Sequence, residues 1–488
     1  MTTTTQGEEP AQLDRGFFGQ PRPLANLFGV EMWERFSFYG MQGILLIYLY
    51  YSASEGGLGI DKATATGIVG AYGGTVYLAT ILGAWIADRV LGRERTLFYA
   101  ASIVMLGHIA LAVVPDIAGI AIGLPLIALG SGGVKANATS MVGALYAPED
   151  ERRDAGFSLF YMGINIGAFF GPLLTGWFQE NKGFHYGFGL AAIGMFFGLV
   201  QYTIGRRRLP ESTRVVANPL DPSERLKYGG ALVAFVVVLA ALLATGVVNS
   251  GNLSDWVIGV TVVAALAYFV LMLTSSHVTA LERSRVWAFV PLFITNAVFW
   301  SLYQQQFTVV TVYSDERVDR VFGDWTMPVS WVQSINPVFI ILFAPVFAAV
   351  WTRMGSRQPS TPVKFGVGTV LMGAAFLLFL LLPSGENTVS VFALAGVLLV
   401  FTLAELFISP PGLSVTTKLA PQQFNTQMVA LYFLSIALGT AMSGRLAEYY
   451  DPDDETGYFL IIGLVAIAAG VVLLLCTRPI RKLMAGVH

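Results

Sequence analysis

Three ionisable residues lie inside the first apolar segment of the chain: Glu31, Glu34 and Arg35. At the centre of a membrane helix each such group costs about 2.5–3.5 kcal/mol, so its presence there indicates a function. On a helix, Glu31 is i,i+3 to Glu34 and i,i+4 to Arg35, which places the three on one face where they can pair. A paired acidic and basic cluster that faces a bundle interior is what a proton- or ion-coupled carrier requires.

Two further charged residues lie deep in later apolar segments. Lys135 follows the small residues 130–133 and is too far from either interface to snorkel comfortably. It can hold a substrate carboxylate, or pair with Glu31 or Glu34; the alternative is a purely structural ion pair. Glu405 is the acidic residue of the second half that lies squarely within a span. Facing an aqueous cavity, it can bind an ammonium group or carry a proton, with a structural role as the alternative.

Polar and aromatic side chains in the same spans are candidates for the rest of a binding site. Asn165 at mid-span can bind a ligand or simply join two helices by a hydrogen bond. Asn336 precedes a proline, which frees a backbone carbonyl and often marks a segment that lines a cavity. A mixed aromatic and polar wall accepts varied side chains while charges fix the ends of a substrate. The aromatic candidates for that wall are Tyr39, Tyr77, Trp300 and Tyr432.

The composition requires a membrane as solvent. The 488 residues are 55% apolar and only 12% charged, with a mean hydropathy of +0.64, whereas soluble domains carry about 25% charged residues. Fourteen apolar segments reach the roughly 20 residues needed to cross the hydrocarbon. The sequence therefore predicts an all-α membrane protein with fourteen transmembrane helices. The single cysteine excludes an internal disulfide, and no feature suggests nucleic-acid binding.

The placement of basic residues predicts the orientation of these helices. Of the 29 Lys and Arg residues, three lie within spans and four lie in loops on one side: Lys62, Lys182, Arg317 and Arg320. All the others lie in the loops and tails of the opposite side. By the positive-inside rule, both termini are cytoplasmic and the protein is a multi-pass component of the inner (plasma) membrane.

The longest inner loop divides six spans from eight. The first two spans after this loop, 228–248 and 254–275, carry almost no polar residues and are expected to form a lipid-facing hairpin. This predicts a six-helix bundle at residues 1–206, a linker and hairpin at residues 207–284, and a second six-helix bundle at residues 285–488. Two such bundles related by a pseudo-twofold axis along the membrane normal form the major facilitator fold.

Four motifs carry a resemblance to known transporters. The segment 83–95 resembles the major facilitator loop Gly-x-x-x-Asp-Arg-x-Gly-Arg-Arg, with one extra residue before its second glycine. Segment 31–40 resembles the E-x-x-E-R-F-x-Y-Y-G pattern of the proton-dependent oligopeptide transporter family, with Phe38 for the first tyrosine. Segments 160–167 and 405–414 match two further signatures of that family, so the resemblance spans essentially the whole chain.

The resemblance implies a proton-coupled symporter that imports di- and tripeptides across the lipid bilayer, as a monomer with the proton as its coupling ion and no other cofactor. Lys135 would hold the peptide carboxylate, and Glu405 with Asn165 and Asn336 would hold the amino terminus. The cluster of Glu31, Glu34 and Arg35 would couple to the proton, with Lys135 as a switching partner. Side-chain pockets would be lined by Tyr39, Tyr77 and Tyr432.

Two positions depart from the pattern of many family members. Gln42 stands where many have arginine, and Gln304 stands where many have an acidic residue. Glutamine hydrogen-bonds but neither carries charge nor titrates. Both glutamines remain candidates for substrate contact, although the carboxylate clamp would then rest on Lys135 alone.

Other functions remain as alternatives. Relatives within the family differ in cargo, so nitrate or a peptide-like drug is one alternative substrate. A non-transporting nutrient sensor is another. The sequence has no metal-binding His and Cys set, no Gly-x-Ser-x-Gly elbow and no phosphate-binding loop, so an enzyme is not expected.

Overall fold

The computed structural model describes residues 15–147 and 150–487. The helices of the first half are α1 (Arg22–Tyr50), α2 (Lys62–Ile86), α3 (Arg93–Val113), α4 (Asp116–Gly143), α5 (Arg153–Lys182) and α6 (Phe184–Gly205). Two helices follow the inner loop, α7 (Pro222–Ala244) and α8 (Leu253–Thr274). The second half contains α9 (Ala280–Tyr303), α10 (Val309–Glu316), α11 (Ile335–Met354), α12 (Thr361–Leu378), α13 (Val391–Leu419), α14 (Asn425–Ala447), α15 (Glu455–Leu475) and α16 (Thr477–Leu483).

Short strands occur in loops of the second half. They are β1 (Val318–Asp319), β2 (Val321–Phe322), β3 (Trp325–Thr326) and β4 (Val389–Ser390). Strand β1 pairs with β4 in parallel, and β2 pairs with β3 antiparallel. The predicted all-helical class is otherwise confirmed.

Thirteen helical segments in the described chain are long and apolar enough to cross a membrane. One of them joins α9 and α10 through a 3₁₀ turn at residues 304–307, and another adds a 3₁₀ turn to the start of α11. The fourteenth predicted span is α1, which has 29 residues but carries the acidic and basic cluster. Because most residues of α1 are buried, protein rather than lipid covers its charges.

The apolar residues form two cores. One consists of residues of α1–α6 and the loops that follow α4 and α6, together with Phe307, Val312 and Val329 from the second half. The other consists of residues from α8 to the end of the chain. The predicted domain limits stay a prediction, and residues 1–14, 148–149 and 488 of those domains lie outside the described residues.

The hairpin of α7 and α8 differs in part from the lipid-facing prediction. No residue of helix α7 is buried, and the helix is anchored at its start, where Glu224 pairs with Arg89 at 2.6 Å. Helix α8 instead buries one face against α2 and α14. At its start, the Ser254 hydroxyl donates to the Gly67 carbonyl at 2.8 Å, and Asp255 pairs with Arg445 at 3.1 Å. One face of α8 therefore contacts protein. The small and hydroxyl side chains on that face allow the close contact.

Fourteen crossings return the chain to the side from which it started, so α1 begins and α15 ends at the same end of the molecule. We refer to this as the terminal end and to the opposite side as the distal end. At the distal end, the Tyr50 and Tyr51 hydroxyls donate to Asp315 at 2.7 and 2.9 Å, and Lys62 pairs with Glu316. These contacts join the first half to the second.

A second set of contacts joins α5 to the turn that precedes α11. The Ser330 hydroxyl and the Trp331 indole donate to backbone carbonyls of α5 at 3.0 and 2.9 Å. At the terminal end, by contrast, the pair of Glu94 and Arg206 lies within the first half. The two halves are thus held together at the distal end.

Glycines at the distal seam bring α2 and α14 into backbone contact. A Cβ atom built on Gly444 would lie 2.7 Å from the Gly70 Cα, closer than carbon atoms approach without a shift of one helix. Such close contact is a common way for membrane helices to associate, since lipid provides no hydrophobic driving force.

We expect Gly70→Val to lower the melting temperature of the detergent-solubilised protein by several degrees. The branched side chain would meet the backbone of α14, and overpacking of this kind typically costs about 1–3 kcal/mol. The matched control is Gly259→Val on α8, because a side chain there meets nothing within 4 Å. Equal melting temperatures for Gly70→Val and the wild type would contradict the tight seam.

Candidate functional site

A central cavity of about 160 Å³ lies between the two halves. Since one water molecule needs about 10–15 Å³ on this measure, the cavity has room for several waters or a small ligand. Eight of the residues singled out in the sequence line it: Tyr39, Gln42, Tyr77, Asn165, Trp300, Gln304, Asn336 and Glu405. Lys135 and Tyr432 do not line it.

Glu405 is held in the second half by a small hydrogen-bonded network. It lies on α13 with only 6% of its surface exposed. The Tyr303 hydroxyl donates to Glu405 Oε2 at 2.7 Å and lies 3.2 Å from Asn336 Oδ1. The Asn336 amide in turn donates to the Thr402 hydroxyl at 2.9 Å. A carboxylate fixed at a cavity wall in this way can bind an ammonium group.

The acidic and basic cluster on α1 forms the predicted pairs. Arg35 Nε and Nη2 donate to Glu31 Oε1 at 2.8 and 2.6 Å, and Arg35 Nε lies 3.3 Å from Glu34 Oε2. The Ser131 hydroxyl of α4 donates to Glu34 Oε1 at 2.7 Å. The second oxygen of each glutamate is buried without a hydrogen-bond partner. The cluster contains two acids and one base. Glu31 Oε2 is left without a partner, whereas Glu34 Oε2 is the oxygen that faces Arg35 Nε.

Lys135 is placed differently from the predicted pair. Its Nζ lies 4.4 Å from the centre of the Phe38 ring and 4.9 Å from that of Tyr77. In the described chain it has no acidic partner within 4.0 Å. Both rings line the cavity, whereas Lys135 itself does not. Because Lys135 follows Ser131 by one helical turn, it shares the face of α4 that contacts Glu34. In this conformation, the lysine rests on aromatic faces beside the acidic cluster.

Two predicted residues have other contacts. The Asn165 amide donates to the Tyr161 carbonyl of its own helix at 2.9 Å, so it joins no second helix here. Tyr432 is buried against Gly412, and its hydroxyl lies 3.5 Å from the Ser409 carbonyl.

Two further predicted residues have a buried polar atom without a hydrogen-bond partner. These atoms are Trp300 Nε1 and Gln42 Oε1.

Sequence reasoning missed several residues of the site. Tyr303 contacts Glu405 directly, and Ser131 contacts Glu34. Tyr161 and Gln333 line the cavity. The signal for Tyr303 was its position before the three glutamines 304–306, where an apolar helix becomes polar. Tyr161 lies in the signature segment 160–167 and Ser131 among the small residues 130–133, but neither pattern assigns a contact to its side chain.

Two helical halves that meet around a central polar cavity, with ionisable residues at membrane depth, define a multi-pass membrane transporter. The sequence profile of the POT family matches residues 94–460. The chain belongs to the POT family.

Relatives cover nearly the whole length of the chain. The "Uncharacterized transporter YclF" of Bacillus subtilis (strain 168) is 43% identical over 97% of both chains. The "Di-/tripeptide transporter" of Lactococcus lactis subsp. cremoris is 40% identical over 97% of this chain and 99% of its own.

Solved structures of relatives have the same fold. A crystal structure of a peptide transporter POT in complex with sulfate superposes with a TM-score of 0.92 at 42% identity, over 98% of this chain and all of that one. A crystal structure of a POT family transporter in complex with 5-aminolevulinic acid has a TM-score of 0.91 at 40% identity, over 97% of this chain and all of that one. The predicted major facilitator fold is thereby confirmed.

We expect Tyr303→Phe to destabilise the folded protein. Removing the hydroxyl deprives the buried Glu405 carboxylate of a donor, and such a loss typically costs about 1–3 kcal/mol. The measurement is thermal unfolding in detergent followed by intrinsic fluorescence. Tyr186→Phe is the matched control, because Tyr186 is 62% exposed. A Tyr303→Phe protein as stable as the control would show that the hydrogen bond to Glu405 contributes little.

Proposed function

We propose that the protein is a proton-coupled symporter that imports di- and tripeptides by alternating access. The observation that carries the proposal is a fixed carboxylate, Glu405, on the second-half wall of a cavity whose first-half wall adjoins the cluster of Glu31, Glu34 and Arg35. The names of the relatives and solved structures, which include di-/tripeptide and peptide transporters, support the same substrate class.

Glu405 would bind the peptide's ammonium group. Tyr303 and Asn336 keep its carboxylate in place, so little reorganisation would be needed when the ligand enters. The tyrosines and Trp300 around the cavity provide large surfaces for varied side chains.

The cluster on α1 and Lys135 would couple the proton. Protonation of Glu31 or Glu34 removes one negative charge from the buried cluster, which contains a single arginine. The loss of that charge weakens the attraction between the cluster and Lys135. Lys135 would then favour its position on the Phe38 and Tyr77 rings, and would return to the acids when the proton leaves. Because those two rings line the cavity, the position of Lys135 would alter the substrate site.

The distal end would be the outer side of the inner membrane. The excess of basic residues at the terminal end supports this orientation, with both termini cytoplasmic. The distal contacts around Asp315 and the seam of α2 and α14 would then close the outer gate. Rocking the halves apart at this end would expose the cavity to the outside.

The primary test is uptake of labelled dialanine by purified protein in liposomes with an inward proton gradient. Uptake that collapses with a protonophore and is inhibited by unlabelled di- and tripeptides would support the proposal. Folded, inserted protein without uptake would refute it, and would make another cargo or a sensor the working hypothesis.

Two substitutions separate binding from coupling. Glu405→Gln removes the charge that pairs with the peptide ammonium, so we expect loss of both gradient-driven uptake and exchange of labelled for unlabelled peptide. Lys135→Ala removes the switching partner, so we expect loss of gradient-driven uptake with exchange retained. The measurement is dialanine flux in the same liposomes, with and without the gradient.

The matched controls are Glu386→Gln and Lys182→Ala, which change exposed residues outside the site. Both should transport as the wild type does. Normal gradient-driven uptake by Glu405→Gln or by Lys135→Ala would remove that residue from the proposed mechanism.

A further inference from the structure

Two short runs of chain that are rich in arginine meet at the terminal end of the first half. One is the start of α3, and the other is the loop that follows α6. Arg206 of the loop pairs with Glu94 of α3, and the Arg214 guanidinium donates to the Arg206 carbonyl at 3.0 Å. We call the six arginines of these runs the arginine cluster: Arg93, Arg95, Arg206, Arg207, Arg208 and Arg214.

The loop that carries four of these arginines is fixed to the first half. The Asn218 N–H donates to the Asp88 carbonyl, at the end of α2, at 2.9 Å. Thr213 is fully buried, and its hydroxyl donates to the Pro210 carbonyl at 2.6 Å. The backbone that presents the arginines is therefore already in place, so a ligand need not order it.

The positive charge of the cluster is poorly compensated. The same two runs contain only two acids, Glu94 and Glu211, and Glu94 is buried and already paired with an arginine. Arg95, Arg207 and Arg208 are exposed, and among the described residues none of the three has an acidic partner within 4.0 Å. Basic residues are common at this end of membrane proteins, but here several are gathered at one place. The cluster therefore attracts an anion.

Exposed apolar side chains continue from the cluster toward the membrane interior. Tyr99 lies one helical turn after Arg95 on α3, and Leu106 and Val113 extend the same exposed face at seven-residue spacing. On α6, Ile204 is 76% exposed and lies two positions before the first arginine of the loop. Because α3 and α6 pack against each other, the cluster lies at the head of a continuous apolar surface.

We propose that the arginine cluster binds an anionic phospholipid. Its phosphate would lie at Arg95, Arg207 and Arg208, and its acyl chains would lie along α3 and α6. Guanidinium groups donate paired hydrogen bonds to phosphate oxygens, and basic pockets between membrane helices bind acidic headgroups. A free phosphate would use the arginines alone, whereas a phospholipid also covers the apolar surface. This inference goes beyond the proposed function, since it concerns lipid and not cargo.

The test is native mass spectrometry of the detergent-solubilised protein, titrated with dioleoylphosphatidylglycerol or with dioleoylphosphatidylcholine. The two lipids have the same acyl chains, so a difference in affinity reports the headgroup. Each basic residue near an anionic lipid surface strengthens binding by roughly fivefold. We therefore expect the phosphatidylglycerol to bind at least about tenfold more tightly than the phosphatidylcholine.

A pair of double variants tests the position of the site. Arg207→Gln with Arg208→Gln should weaken phosphatidylglycerol binding by about tenfold and leave phosphatidylcholine binding unchanged. The matched control is Arg353→Gln with Arg357→Gln, which removes two exposed arginines at the terminal end of the second half. The control should bind both lipids as the wild type does. Melting temperatures in detergent alone would show that both variants fold.

Three outcomes would overturn the inference. The first is equal affinity of the wild type for the two lipids, and this comparison does not depend on the folding of any variant. The second is an equal loss of affinity in both double variants, because the attraction would then belong to the whole basic end. The third is displacement of the phosphatidylglycerol by an equal concentration of inorganic phosphate, because an anion would then suffice without acyl chains.

Discussion

The burial of the Glu31, Glu34 and Arg35 cluster within α1 constrains the rest of the first half. Because these groups cannot face hydrocarbon, other helices must enclose α1. Helix α5 does so with small residues at the contact. A Cβ atom on Gly167 would lie 2.9 Å from Phe36 N, and the Thr175 hydroxyl donates to the Gly40 carbonyl at 2.7 Å. The tight packing of α1 follows from the charges it carries.

The two halves contribute different functional side chains on the two sides of one cavity. The first half provides the acid-base cluster on α1, together with Lys135 and Ser131 of α4. The second half provides Glu405 with Tyr303. The faces meet through aromatic contacts, and the Tyr39 ring stacks on Phe307 with centroids 6.0 Å apart. A change in charge on one side can therefore reach the other through side chains that also line the cavity.

The sequence was sufficient to predict the features that depend on the membrane environment. Hydropathy and charge placement predicted fourteen spans and the hairpin, and i,i+4 spacing predicted the pair of Glu31 and Arg35. The partner of Glu405 could not be predicted in this way. Tyr303, the last residue of α9, reaches Glu405 on α13, and no local pattern specifies a contact between residues 102 positions apart. The position of Lys135 on aromatic rings depends likewise on long-range packing and on one conformation of the bundle.

The two contacts at the start of α8 bear on the energetics of transport. Ser254 is bonded to α2 in the first half, and Asp255 is paired with α14 in the second. If the halves part at the distal end, as proposed, adjacent residues of α8 bridge the seam that opens. Parting the seam would break at least one of these two contacts. It would also break the packing of α8 against the half from which the helix separates. On the proposed mechanism, α8 of the inserted hairpin would therefore favour the state in which the distal end is closed, although it contributes no residue to the central cavity.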